Sequence, residues 1–123
     1  MSENSDNANI PEWISKNADE LMLPPEVYIS ILNTSIEEGD RDQEALEQAF
    51  SSENIDEIQS LSHRLKGALG NLRLTSVAQP AVELNDLAKQ KAPISEMKPK
   101  FEIFKSEYAK LKQSAASLPD VES

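Results

Sequence analysis

His63 is the only histidine among 123 residues, and the stretch around it reads Leu61-Ser62-His63-Arg64-Leu65-Lys66-Gly67-Ala68-Leu69-Gly70-Asn71-Leu72. A neutral imidazole is a nitrogen nucleophile available near neutral pH, and it can accept and return an electrophilic group such as a phosphoryl. Lys66, three residues on, can offset the charge of such a group. There is no cysteine, so thiolate chemistry and disulfides are excluded. One histidine and no cysteine also leave no transition-metal ligand set. The acidic run Glu37-Glu38-Gly39-Asp40-Arg41-Asp42 lacks the ligand spacing of a calcium loop and reads as a solvated turn. Asn33-Thr34-Ser35 matches a glycosylation sequon but falls inside a helical pattern, and it is read as a chance match.

The position of the histidine on its helix decides how it is read. A lone histidine in a small protein is most often structural, and a core histidine shares the apolar face. At about 100° per residue, Leu61, Leu65 and Leu72 fall roughly 160–200° from His63, with Ile58 and Leu69 beside them. Gln59, Lys66, Gly67 and Gly70 fall within roughly 60° of it. His63 is therefore expected on the solvent side. Two glycines share that face, and each costs a helix about 1 kcal/mol relative to alanine. They leave bare backbone where another protein can approach. Arg64 lies roughly 100° from His63 and is a more peripheral docking candidate. Gln59 either hydrogen-bonds the ring or the attached group, or is a plain exposed polar residue.

Elements that position this face follow from apolar spacing and from helix start and stop signals. Residues 1–9 are polar and without hydrophobic period, and read as a disordered lead-in. Pro11 opens a short helix carrying Trp13 and Ile14. Pro24-Pro25 opens a second, with Val27, Tyr28, Ile31, Leu32 and Ile36 on one face; Gly39 is expected to terminate it and Asp40 to cap the next. Asn54 with Glu57 resembles a capping box for the helix of His63, and Ser76 is expected to cap the one after. Pro80 falls early in that helix and removes one backbone hydrogen bond. After Lys91-Ala92-Pro93, Met97, Phe101, Phe104, Tyr108, Leu111 and Ala115 form a narrow seam suited to a bundle.

No segment alternates like a strand, so the fold class is all-α, with short connections that set successive helices antiparallel. The expected organisation is one domain over residues 10–116 and a flexible tail over 117–123. A formal charge of −10 repels nucleic acid and anionic lipid. No apolar run approaches the roughly 20 residues of a membrane helix, and the polar acidic start is no secretory signal. A cytoplasmic protein without membrane or nucleic-acid partners is expected.

His63-Arg64-Leu65-Lys66-Gly67, followed by Gly70-Asn71-Leu72 and by Val77, Ala81 and Leu84-Asn85, resembles the signature of the histidine-phosphotransfer (HPt) family. Leu23-Pro24-Pro25-Glu26-Val27-Tyr28 resembles the first bundle helix of that family. Arg73 stands where a glycine is frequent, Asn85 where a glutamate is frequent, and Pro80 is unusual. The resemblance spans roughly residues 20–115. It implies an antiparallel four-helix bundle with an additional short N-terminal helix, and a monomer. By the same resemblance His63, through Nε2, takes a phosphoryl group from the aspartate of one response-regulator receiver domain and passes it to another. Lys66 then stabilises phosphoryl charge, Gln59 hydrogen-bonds, and Gly67, Gly70 and Arg64 meet the partner. The partners are receiver domains and a sensor or hybrid histidine kinase, with no cofactor on this chain and Mg²⁺ in the receiver. No nucleotide-binding motif is present, so a carrier without autokinase activity is expected. The competing reading is a helical adaptor or inhibitor that binds signalling partners without being phosphorylated.

Overall fold

A computed structural model describes residues 10–119. The expected lead-in at 1–9 and the end of the tail at 120–123 lie outside the described residues. Five helices follow in order: α1 (Glu12–Glu20), α2 (Pro25–Ser51), α3 (Ile55–Asn71), α4 (Thr75–Lys89) and α5 (Ile94–Ala116). Helices α2 to α5 form the bundle. Each packs against its sequence neighbour, α5 closes the ring against α2, and α1 lies against α2.

Two boundaries differ from the sequence expectation, the first at Gly39 and the second at Ser76. Gly39 does not end a helix and Asp40 does not cap one, because α2 runs unbroken for 27 residues. Leu32, Gly39 and Leu46 are seven apart and all buried, so the core stripe passes straight through the glycine. Gly39 is small because Tyr108 crosses there: a Cβ at that position would lie 2.5 Å from the Tyr108 hydroxyl oxygen. That hydroxyl donates to the Ile36 carbonyl at 2.7 Å, fixing α5 against α2.

All four connections use the same device. Met22, Glu53, Arg73 and Lys91 each sit at a positive φ of 55–64° just past a helix. At each, paired backbone hydrogen bonds close the Schellman pattern, as in Leu74 N–H to Leu69 C=O and Arg73 N–H to Gly70 C=O. The left-handed position usually belongs to glycine, so Arg73 is a non-glycine residue doing what the frequent glycine would do.

Helix starts conform in part. Pro11, Pro24 and Pro93 hold the N-cap positions of α1, α2 and α5. Asn54 caps α3 by accepting from the Glu57 N–H at 3.1 Å. The reciprocal half of the box is absent because the Asn54 N–H donates to the Ala49 carbonyl. Ser76 does not cap α4, which starts at Thr75 behind Leu74, two residues earlier than a Ser76 cap would place it, and has no side-chain cap. Pro80 is buried inside α4, which continues through it to Lys89.

The core is aliphatic with a few aromatics: Phe50 stacks on Phe101 with centroids 4.8 Å apart, and Phe104 on Tyr108 at 5.5 Å. At the other end Tyr28 donates to the Leu72 carbonyl at 2.6 Å, while Asn17 donates to Tyr28 Oη at 3.2 Å. This relay joins α1, the start of α2 and the end of α3, and it sets the register of the helix that carries His63.

Candidate functional site

The turns of α3 behave as the 100° arithmetic requires. Ile58, Leu61, Leu65 and Leu69 are buried, while His63 is exposed on the opposite side. Asp56, Gln59, Ser60 and His63 line a shallow open depression whose far wall is Asn85 and Lys89 of α4. Gln59 and His63 are thus brought together. Lys66, half-buried, and the two glycines continue the same face of α3 toward its C-terminus.

The glycines separate into two kinds. A Cβ on Gly39 would meet Tyr108, but a Cβ on Gly67 or Gly70 would meet nothing within 4 Å among the described residues. Internal packing therefore gives no reason for glycine at 67 and 70, and their helix-propensity cost stands uncompensated within the chain.

Arg64 turns to the α2 side. Its guanidinium holds Asp42 through two hydrogen bonds of 2.6 and 3.2 Å, and the carboxylate is nearly buried. The hydrogen bond to Asp42, and then the charge of that carboxylate, raise the guanidinium above its ordinary pKa. With its side chain 65% exposed, Arg64 keeps donors free beyond this pair.

On the α4 side the contact is polar and buried. Asn85, at 1% exposure, donates through Nδ2 to the Gln59 carbonyl at 2.9 Å and to Ser62 Oγ at 3.2 Å. The Ser62 hydroxyl itself donates to the Ile58 carbonyl at 2.7 Å. Sequence reasoning noted Asn85 only as a departure from the family pattern and placed neither it nor Lys89 at the site, because both come from another helix. Asp56 and Ser60 were within its reach, since they stand seven and three residues before His63 on its own face.

The family model for the Hpt domain matches residues 30–115, well over half of the chain. The chain belongs to the Hpt domain family. Hpt domains are phosphocarriers of two-component signalling that interact with kinases and receiver domains. No curated protein and no solved structure gives a significant match. The matched span takes in most of α2 and the whole of α3 and α4, hence His63 and both walls of its depression. Among the described residues, no three His, Cys, Asp or Glu side chains are gathered as a metal-ligand group, and no helix is long and apolar enough to cross a membrane.

Proposed function

We propose that this Hpt domain acts as a monomer that carries a phosphoryl group on His63 between the aspartates of two receiver domains. The observation that carries the reading is the exposed face of α3, where the chain's one imidazole stands with Lys66 and two glycines that internal packing does not require. A protein surface that must bring its nucleophile to a phosphoaspartate in a partner's pocket needs such cleared backbone. A bundle that only adheres to partners has no use for the histidine and lysine together.

In the forward step the unprotonated ring nitrogen attacks phosphorus. The N–P bond forms as the P–O bond to the aspartate breaks, and the carboxylate leaves with the electron pair. The ring keeps its other N–H and takes up the positive charge, and the reverse step on a second receiver restores the neutral imidazole. Lys66 compensates phosphoryl charge, Gln59 offers an amide donor at the rim, and Gly67 and Gly70 with Arg64 make the docking ground. The reading assigns Mg²⁺ to the receiver, and nothing on this chain is asked to bind it.

The test is incubation with a phosphorylated receiver domain, followed by an acid-lability assay. The expected product is an acid-labile label that disappears in His63→Gln while the helical CD signal is unchanged and the stability from thermal unfolding stays within about 0.5 kcal/mol of the parent. An acid-stable label, or no label on the parent chain, would overturn the relay and leave the adaptor reading.

A further inference from the structure

Asn85 reaches across from α4 into α3 directly beside the nucleophile, and its hydrogen bonds have one direction only. The Gln59 carbonyl can only accept, so the amide nitrogen must face it. The Ser62 hydroxyl has given its proton to the Ile58 carbonyl, so it too accepts from Asn85. The other end of the amide, Oδ1, is buried with no protein partner among the described residues. An unpaired buried acceptor is unfavourable, so the useful end of this side chain is its nitrogen.

In the ladder of an α-helix, the carbonyl of residue 59 accepts from the backbone N–H of residue 63. Asn85 thus donates to the same oxygen that anchors the backbone of His63, and it lines the same depression as the imidazole. We propose that Asn85 is a positioning residue for His63, locking from α4 the helical turn on which the imidazole stands by donating to the Gln59 carbonyl. This rests on the phosphocarrier reading of His63 for its consequence in transfer, though the geometry it describes does not. An ionised glutamate, the residue that the family resemblance makes frequent at this position, has no proton to donate and cannot hold the turn in this way.

The experiment compares the full chain with Asn85→Ala and Ser62→Ala. It follows phosphoryl transfer from a phosphorylated receiver as a function of receiver concentration, and amide hydrogen exchange at residues 59–66 by NMR. Asn85→Ala is expected to lower the maximal transfer rate by about tenfold. The half-saturating receiver concentration should stay within about twofold, because the docking face is untouched. Exchange at the His63 amide should quicken, because its turn is no longer held from α4. Ser62→Ala removes one partner of the same side chain, and with it the longer 3.2 Å approach of the Ser62 hydroxyl to the Gln59 carbonyl, but leaves the 2.9 Å bond from Asn85 to that carbonyl, and should stay within about twofold of the parent in both readouts. Should Asn85→Ala fail to fold, Asn85→Asp, of equal volume and without the donor when ionised, takes its place. Parent-like transfer and exchange in the Asn85 variant would overturn the proposal, as would equal losses in Ser62→Ala. If the parent itself takes no label on His63, the relay reading fails, and the exchange data still decide whether Asn85 holds the turn.

Discussion

At the scale of the residue, the three glycines show that the same residue type answers different physical demands. Gly39 is required from within by the Tyr108 hydroxyl, whereas Gly67 and Gly70 meet no neighbour among the described residues. This yields a prediction with opposite signs for one position. Gly67→Ala should raise stability by up to about 1 kcal/mol in thermal or urea unfolding, since only helix propensity changes. Gly67→Leu should retain that gain but weaken receiver binding measured by titration calorimetry, because the bare backbone is then covered. Unimpaired binding in the leucine variant would mean that the patch has no docking role. Lys66 is tested by charge alone. Lys66→Ala should slow phosphoryl acceptance roughly tenfold to a hundredfold, the worth of one charge-assisted contact of about 1.5–3 kcal/mol. Lys66→Arg should recover part of the loss in the same assay. A neutral substitution without effect would remove Lys66 from the chemistry.

At the scale of the element, what was legible in the sequence was what a single helix decides by itself. The leucine stripe of α3 and the histidine opposite it follow from period alone, and so does the seam of α5. The break expected at Gly39 failed because a local stop signal competes with a core stripe that continues through it, and the stripe wins once Tyr108 of a distant helix fills the gap. Asn85 and the Asp42–Arg64 pair were illegible for the same reason: each is a contact between helices, and spacing within one helix carries no information about it. Gly39→Ala should therefore destabilise by about 1–3 kcal/mol despite its better helix propensity, because the Tyr108 hydroxyl must leave the Ile36 carbonyl. Urea unfolding measures this, and a stabilised variant would refute the contact. The turns predict the reverse sign. Glu53, at φ 55° and in no side-chain bond among the described residues, should give about 1 kcal/mol of added stability as Glu53→Gly.

At the scale of the whole molecule, the bundle carries most of its charge outside and its tyrosines inside. Ion pairs cross between helices at the surface, with Lys105 reaching Glu47, Lys112 reaching Asp40 and Lys100 reaching Glu83. Exposed pairs of this kind contribute little each. The buried phenols are the larger lever. Burial raises Tyr108 far above the ordinary tyrosine pKa of 10.0, and Asp40 and Asp42 add to the effect; burial also raises Tyr28. A phenol whose folded pKa is raised holds its proton in the native state while the unfolded chain releases it. Stability is therefore fully present below about pH 10 and falls as pH climbs above it, by up to about 1.4 kcal/mol per unit for each such group. Lys105 acts in the same direction, because its hydrogen bonds to Glu102 and Glu47 raise it. The thermal midpoint should accordingly decline steeply between pH 10 and 11, and the decline should be shallower in Tyr108→Phe. That variant loses the bond to Ile36 and starts lower at neutral pH, by about 1 kcal/mol. The two stability curves should therefore converge as the solution becomes alkaline, and curves that stay parallel would show that Tyr108 ionises alike in the folded and unfolded chain.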